Sequence, residues 1–124
     1  MTWKQEIFRA LLLAFGTMEI ILNLKFLLKK NGIKLARKWH QEIPHNLPDK
    51  NMKIKVICML SYGIMFFCVS LISYVTHKYF NWMILGSLII FSVYAIVEAL
   101  YYRYLNTLGF AFATIALIVI YVLV

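Results

Sequence analysis

The chain has 124 residues, a net charge of +8, a hydrophobic fraction of 63% and a mean hydropathy of +0.78. Ordinary soluble domains are about 45–50% apolar, so this composition excludes a soluble globular protein. A strongly basic chain can bind nucleic acid. Here the basic residues are concentrated between apolar segments, and we expect no nucleic acid as a partner.

Long uncharged stretches predict membrane spans. Residues 56–77, 79–97 and 104–124 contain no Lys, Arg, Asp or Glu, and they are 22, 19 and 21 residues long. A transmembrane helix needs about 20 apolar residues. With a further apolar segment near the N-terminus, the sequence predicts one membrane domain over 1–124, with four helices at about 6–28, 54–76, 80–104 and 107–124 and a basic loop at 29–53.

Besides a membrane span, the first apolar segment allows two interpretations, a signal peptide and a helix that lies along the membrane interface. It follows Lys4 and Arg9, and a basic start of this kind also opens signal peptides. No small-x-small cleavage site follows, and the pattern continues through Glu19 and Lys25, so we expect a retained span. If this helix instead lay along the interface, the N-terminus would be cytoplasmic.

The distribution of charge predicts an orientation. Residues 29–55 carry eight Lys or Arg against two acidic residues, so +6 of the net charge lies there. Short loops rich in Lys and Arg stay in the cytoplasm. With Arg103, nine basic residues lie on that side. Three lie on the other, namely Lys4, Arg9 and Lys78. We therefore expect the cytoplasmic membrane of a bacterium, with the basic loop inside and both termini outside.

Small and polar residues recur at seven-residue intervals in every predicted helix. Such residues mark helix contacts in lipid, and a seven-residue repeat keeps one face toward a partner in a left-handed bundle. We therefore expect an all-α, compact, left-handed antiparallel four-helix bundle; a substrate pathway is the alternative interpretation. The repeats are Arg9, Gly16, Asn23 and Lys30; Gly63, Ser70 and His77; Ser87, Tyr94 and Tyr101; and Thr107, Thr114 and Tyr121, with Glu19 on the same face as the first repeat and Glu98 four residues after Tyr94.

Two acidic residues lie within predicted spans, Glu19 and Glu98. An acid in a span is costly unless it is paired, protonated or in contact with water, so it is a candidate functional residue. The structural alternative is a hydrogen-bonded acid that fixes the packing of the helices. The possible proton or ligand site comprises Glu19, Asn23, Tyr94, Glu98, Tyr101 and Tyr102, in which the tyrosine hydroxyls are suitable donors to Glu98.

The basic loop contains an amphipathic pattern. Ile33, Ala36, Trp39 and Ile43 recur every three or four residues, which predicts a short helix ended by Pro44 and Pro48. Basic amphipathic helices bind anionic lipid surfaces. The expected contacts with inner-leaflet lipid are Lys34, Arg37, Lys38 and Trp39. The alternative is a solvated loop whose charge only orients the protein.

No motif for catalysis or cofactor binding is present. His40, Glu42 and His45 form an H-x-E-x-x-H string, but five residues separate the histidines and Pro44 intervenes, so they do not share a helix face as zinc ligands do. Cys58 and Cys68 are about 15 Å apart along one helix, too far for a disulfide. We expect neither enzymatic activity, nor a metal, nor a cofactor.

The chain resembles the small multidrug resistance exporters in two features. It has four short predicted spans, and Glu19 lies in the first of them, where that family carries its single membrane acid. That resemblance implies exchange of protons for cationic drugs at Glu19. The chain differs from the family in its long loop after the first helix and in lacking the family's glycine and tryptophan pattern in the third. Its nine-to-three charge bias also opposes the dual insertion common in that family.

The sequence therefore favours a small non-enzymatic membrane protein that acts through helix contacts. It would be an accessory, regulatory or immunity-type partner of a larger membrane system, bound to another membrane protein or to itself. The alternative is a small proton-coupled transporter or channel that uses Glu19 and Glu98. A pore-forming lysis protein is less favoured, because such proteins commonly carry a charged tail and this sequence shows none.

Overall fold

The structure, a computed structural model, describes residues 2–41, 43–44 and 46–124. In these residues it contains five helices, and four of them are long and apolar enough to cross a membrane. The helices are α1 (Trp3–Leu28), α2 (Gly32–Trp39), α3 (Asp49–Thr76), α4 (Asn81–Tyr102) and α5 (Leu105–Leu123). The prediction of an all-α protein with four candidate spans is confirmed.

Two helices begin earlier than their apolar segments. At α1, Thr2 and Gln5 form a reciprocal capping box, which satisfies backbone N–H groups ahead of the hydrophobic run. At α3, Pro48 precedes the helix and Asp49 occupies its first turn, where an acidic side chain interacts favourably with the helix dipole. Hydropathy marks only the apolar part of a helix, so it placed the start of α3 five residues too late, at Ile54.

Short connections join the last three helices. The chain passes from α3 to α4 through residues 77–80, and from α4 to α5 through residues 103–104. His77 and Arg103 end α3 and α4 with φ of 56° and 50°. These left-handed residues terminate each helix and turn the chain back. The three helices therefore run in alternating directions, as predicted.

The most extensive helix contact joins α1 and α3 in antiparallel directions. Arg9 near the start of α1 stacks on Tyr74 near the end of α3, 3.9 Å from its ring centroid. Halfway along, Gly16 meets Gly63 so closely that a Cβ on Gly16 would lie 2.7 Å from the Gly63 carbonyl oxygen. Small residues allow this approach of two backbones.

The helices α4 and α5 form a second antiparallel pair. Thr114 donates a hydrogen bond to the Ser92 hydroxyl at 3.2 Å, and Ala111 packs against Ala95 and Ala99. Aromatic rings fill the centre between the two pairs. The central residue is Phe91, whose ring contacts Phe15, Tyr62, Phe66, Tyr94 and Phe110.

Helix α2 covers one end of the bundle. Ala36 and Ile43 are buried with Phe26 of α1 and with Met52 and Val56 of α3. The basic loop contains a short helix, and it ends at Trp39, five residues before Pro44. The next residue, His40, is the C-cap, and its buried side chain bonds Asn23 of α1.

Candidate functional site

The first membrane acid belongs to a buried polar cluster formed by Glu19, Asn23 and His40, the Glu19 cluster. Their exposed fractions are 4%, 0% and 2%. The Asn23 amide nitrogen donates to Glu19 Oε2 at 2.8 Å and to the Glu19 backbone carbonyl at 2.7 Å. These two bonds fix the orientation of the amide, so its oxygen accepts from His40 Nε2 at 2.9 Å. The cluster joins the second half of α1 to the residue that follows α2.

Sequence analysis identified part of this cluster. Glu19 and Asn23 are four residues apart on one helix, a spacing that brings side chains together, and both were expected at a polar site. His40 was considered only in a metal-binding string, and no periodic pattern linked it to α1. Glu42 and His45, the other members of that string, lie outside the described residues.

The second membrane acid is paired with a lysine. Lys55 Nζ on α3 donates to Glu98 Oε1 on α4 at 2.7 Å, and only 1% and 7% of the two side chains are exposed. The Lys55 ammonium also lies 5.1 Å from the ring centroids of Tyr94 and Phe110. We call Lys55, Tyr94 and Glu98 the Glu98 cluster. Desolvated charges in a bilayer require a partner of this kind.

Lys55 is a member of the Glu98 cluster that sequence reasoning missed. It was counted among the loop charges because it precedes the uncharged stretch that begins at Val56. One signal could have found it. Lys55 lies 22 residues before the turn residue His77, and Glu98 lies 18 residues after Phe80, so the two charges come to similar depths on an antiparallel pair of helices.

A small cavity adjoins the Glu98 cluster between α3 and α4. Its volume is about 180 Å³, and it is lined by Ile54, Lys55, Cys58, Tyr94, Val97, Glu98, Tyr101 and Tyr102. The structure thus brings together four of the six predicted site residues, those on α4. Glu19 and Asn23 belong to the other cluster, so the predicted set is divided between two places.

The predicted lipid-contact residues lie on α2. Lys34 and Lys38 are exposed, and Trp39 is 47% exposed. Arg37 differs from them, because its guanidinium donates to Asp49 Oδ1 at 2.7 Å and so ties α2 to the start of α3. Arg37 therefore has an internal structural contact in addition to its predicted role.

A third polar group closes the opposite end, where both termini lie. The Tyr121 hydroxyl donates to the Asn81 side-chain oxygen and accepts from the Tyr79 hydroxyl, 2.8 Å away. Lys4 Nζ donates to the Tyr121 carbonyl at 3.0 Å. Burial, followed by the bond to Tyr121, raises the pKa of Tyr79 well above its usual value.

Among the described residues, no group of three His, Cys, Asp or Glu side chains could hold a metal ion. Cys58 and Cys68 are free thiols. Comparison of the chain with protein-family models, curated proteins and solved structures finds no match. A role for each candidate site is therefore inferred from the distances, burial and bonds of its own side chains.

Proposed function

We propose that this chain is a small non-enzymatic protein of a bacterial cytoplasmic membrane. It acts through helix contacts as an accessory, regulatory or immunity-type partner of a larger membrane system. The observation that carries the proposal is the division of polar and apolar residues. Both membrane acids are bonded to side chains within the fold, at Asn23 and Lys55, while the outer surface of the long helices is apolar.

One part of that surface is suited to a partner helix. Gly109, Ala113 and Ala116 lie on one face of α5 and all three are exposed. Beside Ala113, a cavity of about 200 Å³ opens between α5 and α1, with Leu11 and Phe15 on its far side. Small residues let helices approach closely in lipid, so this face and cavity can receive a ridge of larger side chains.

The proposed orientation places the α2 end in the cytoplasm and both termini outside. Lys55 is buried against Glu98, so it is not counted among the loop charges. Eight basic residues then remain at the α2 end, and three, Lys4, Arg9 and Lys78, lie at the other end. The bias still favours this orientation. The seven-residue stripes favour a left-handed bundle.

Photo-crosslinking tests the contact proposal. A photoreactive residue at Ala113, in cells of the source bacterium, should give an adduct with another membrane protein or with a second copy of the chain. Gly109→Leu should reduce the yield at least about tenfold, since one bulky side chain prevents close approach of the helices. The matched control is Val93 on α4, which is 54% exposed. Equal yields from Ala113 and Val93, or no effect of Gly109→Leu, would contradict the proposal.

The alternative function is proton-coupled transport or a channel, and the cavity beside Lys55 and Glu98 favours it. In liposomes that contain a pH-sensitive dye, we expect the purified protein to pass protons no faster than protein-free vesicles. Proton flux in the wild type that is lost in Glu98→Gln but kept in Glu6→Gln, a change at an exposed acid, would establish the alternative.

A further inference from the structure

Helix α2 presents two opposite faces. Gly32, Ala36 and His40, spaced by four residues along the helix and its cap, are buried. Lys34 and Lys38 occupy the positions midway between these buried residues, and Lys30 lies two residues before the first of them, in the turn that precedes the helix. All three lysines are exposed. Residues four apart lie on one side of a helix. The basic face is therefore directed away from the bundle.

The orientation of α2 is fixed by close contacts. A Cβ at Gly32 would lie 1.7 Å from the carbonyl oxygen of Phe26, so the backbones of α1 and α2 touch at that point. Ala36 is fully buried, and His40 is bonded to Asn23. Because α2 cannot roll or lift without breaking these contacts, the backbone positions of Lys34 and Lys38 are held before any ligand binds, and Lys30 lies in the turn that leads into the helix.

The basic face also lies at the border of the apolar surface. Leu28 and Ile54, at the ends of the adjoining apolar segments, are 82% and 51% exposed. Trp39, at the end of α2, is 47% exposed, and Trp is typical of the headgroup level of a bilayer. A surface with lysines beside an apolar belt matches the boundary between phosphates and acyl chains.

We propose that Lys30, Lys34 and Lys38 form a preorganised docking surface for the phosphate groups of anionic phospholipids, and that the Glu19 cluster holds it in place. This inference rests on the proposed location of the basic end in the cytoplasmic leaflet. It gives Glu19 and Asn23 a positioning role. Preorganisation strengthens binding, since the cost of ordering α2 is met during folding.

Fluorescence quenching tests the inference on the full chain. Trp3→Phe and Trp82→Phe replace two exposed tryptophans and leave Trp39 as the only reporter. The protein is reconstituted in bilayers that contain brominated phosphatidylglycerol or brominated phosphatidylcholine, and the ratio of the two quenching constants gives the lipid preference at Trp39. We expect a clear preference for phosphatidylglycerol. A lysine near an anionic surface is worth roughly fivefold in affinity, so Lys34→Gln with Lys38→Gln should lower the preference at least about fivefold.

Two further variants test preorganisation. Gly32→Ala forces α2 away from Phe26, and His40→Leu removes the bond to Asn23. Both keep every lysine, and both should lower the preference. The charge-matched control is Lys4→Gln with Lys78→Gln, at the opposite end of the bundle, and it should leave the preference unchanged.

No preference in the wild type would overturn the proposal, as would a preference that survives the lysine changes. If the lysine changes act but neither Gly32→Ala nor His40→Leu does, the claim of preorganisation is wrong. A chain inserted in either direction meets the same lipids in these symmetric bilayers. A failure here is therefore distinct from an error in the proposed orientation, and it leaves the Ala113 crosslinking result unaffected.

Discussion

Lys55 and Glu98 bring two opposite charges into the apolar interior, where neither would be tolerated alone. Their 2.7 Å contact offsets part of the cost of lost hydration. The nearby Tyr94 ring adds a cation–π interaction with the ammonium group. The pair joins α3 to α4.

Glu98→Gln should therefore lower the free energy of unfolding by about 3–5 kcal/mol, because it leaves the Lys55 ammonium buried without its counter-charge. The double variant Lys55→Met with Glu98→Leu should recover most of that loss, since apolar side chains of similar size need no partner. Both values can be measured by titrating the protein from mild detergent into sodium dodecyl sulfate.

The control for this prediction is Lys53→Met, which removes an exposed lysine two residues away on the same helix. A surface change of this kind should alter the free energy of unfolding by less than about 0.5 kcal/mol. If Glu98→Gln had as little effect as Lys53→Met, the ion pair would not be important to the fold.

At the scale of elements, the crossing of α1 and α3 depends on two glycines. Besides the Gly63 carbonyl, a Cβ on Gly16 would meet the Phe67 backbone nitrogen at 2.7 Å. A Cβ on Gly63 would meet the Glu19 Cβ at 2.9 Å. Neither the backbone atoms nor a Cβ can move aside easily, and the contacts at Gly16 are shorter, so Gly16 is the more restricted position.

We expect Gly16→Ala to destabilise the protein by about 1–3 kcal/mol, the usual cost of overpacking a well-packed contact. The same detergent titration measures it. Gly86→Ala on α4 is the matched control, because no atom lies within 4 Å of a Cβ built there. Equal stability of the two alanine variants would show that α1 and α3 do not approach as closely as described.

At the scale of the whole molecule, two antiparallel pairs, α1 with α3 and α4 with α5, meet through the aromatic centre around Phe91. Polar contacts then join the pairs at both ends. At the end with the termini, Lys4 of α1 donates to the Tyr121 carbonyl of α5, and toward the α2 end Lys55 of α3 donates to Glu98 of α4. The molecule therefore separates an internally bonded polar framework from an apolar exterior, the arrangement on which the proposed helix contacts depend.

The sequence by itself determined the environment and the element types. Uncharged stretches of the length of a bilayer predict spans because backbone polar groups in lipid must be bonded within a helix. The same local signals, together with the short turns, predicted the alternation of helix directions. The seven-residue stripes also placed Gly16, Asn23, Ser87 and Thr114 on faces that are buried in the structure. The same stripes were wrong for Lys30, His77 and Tyr101, which are exposed because they lie at or beyond the helix ends.

Only the tertiary structure decided the polar partners. Lys55 bonds Glu98 across 43 residues of chain, and His40 bonds Asn23 across 17 residues. Periodicity reports which face of a helix is polar, but not which residue of another helix comes within hydrogen-bonding distance. That distance depends on the rotation and depth of each helix, which are set by contacts such as Gly16 with Gly63 that form only when the helices pack.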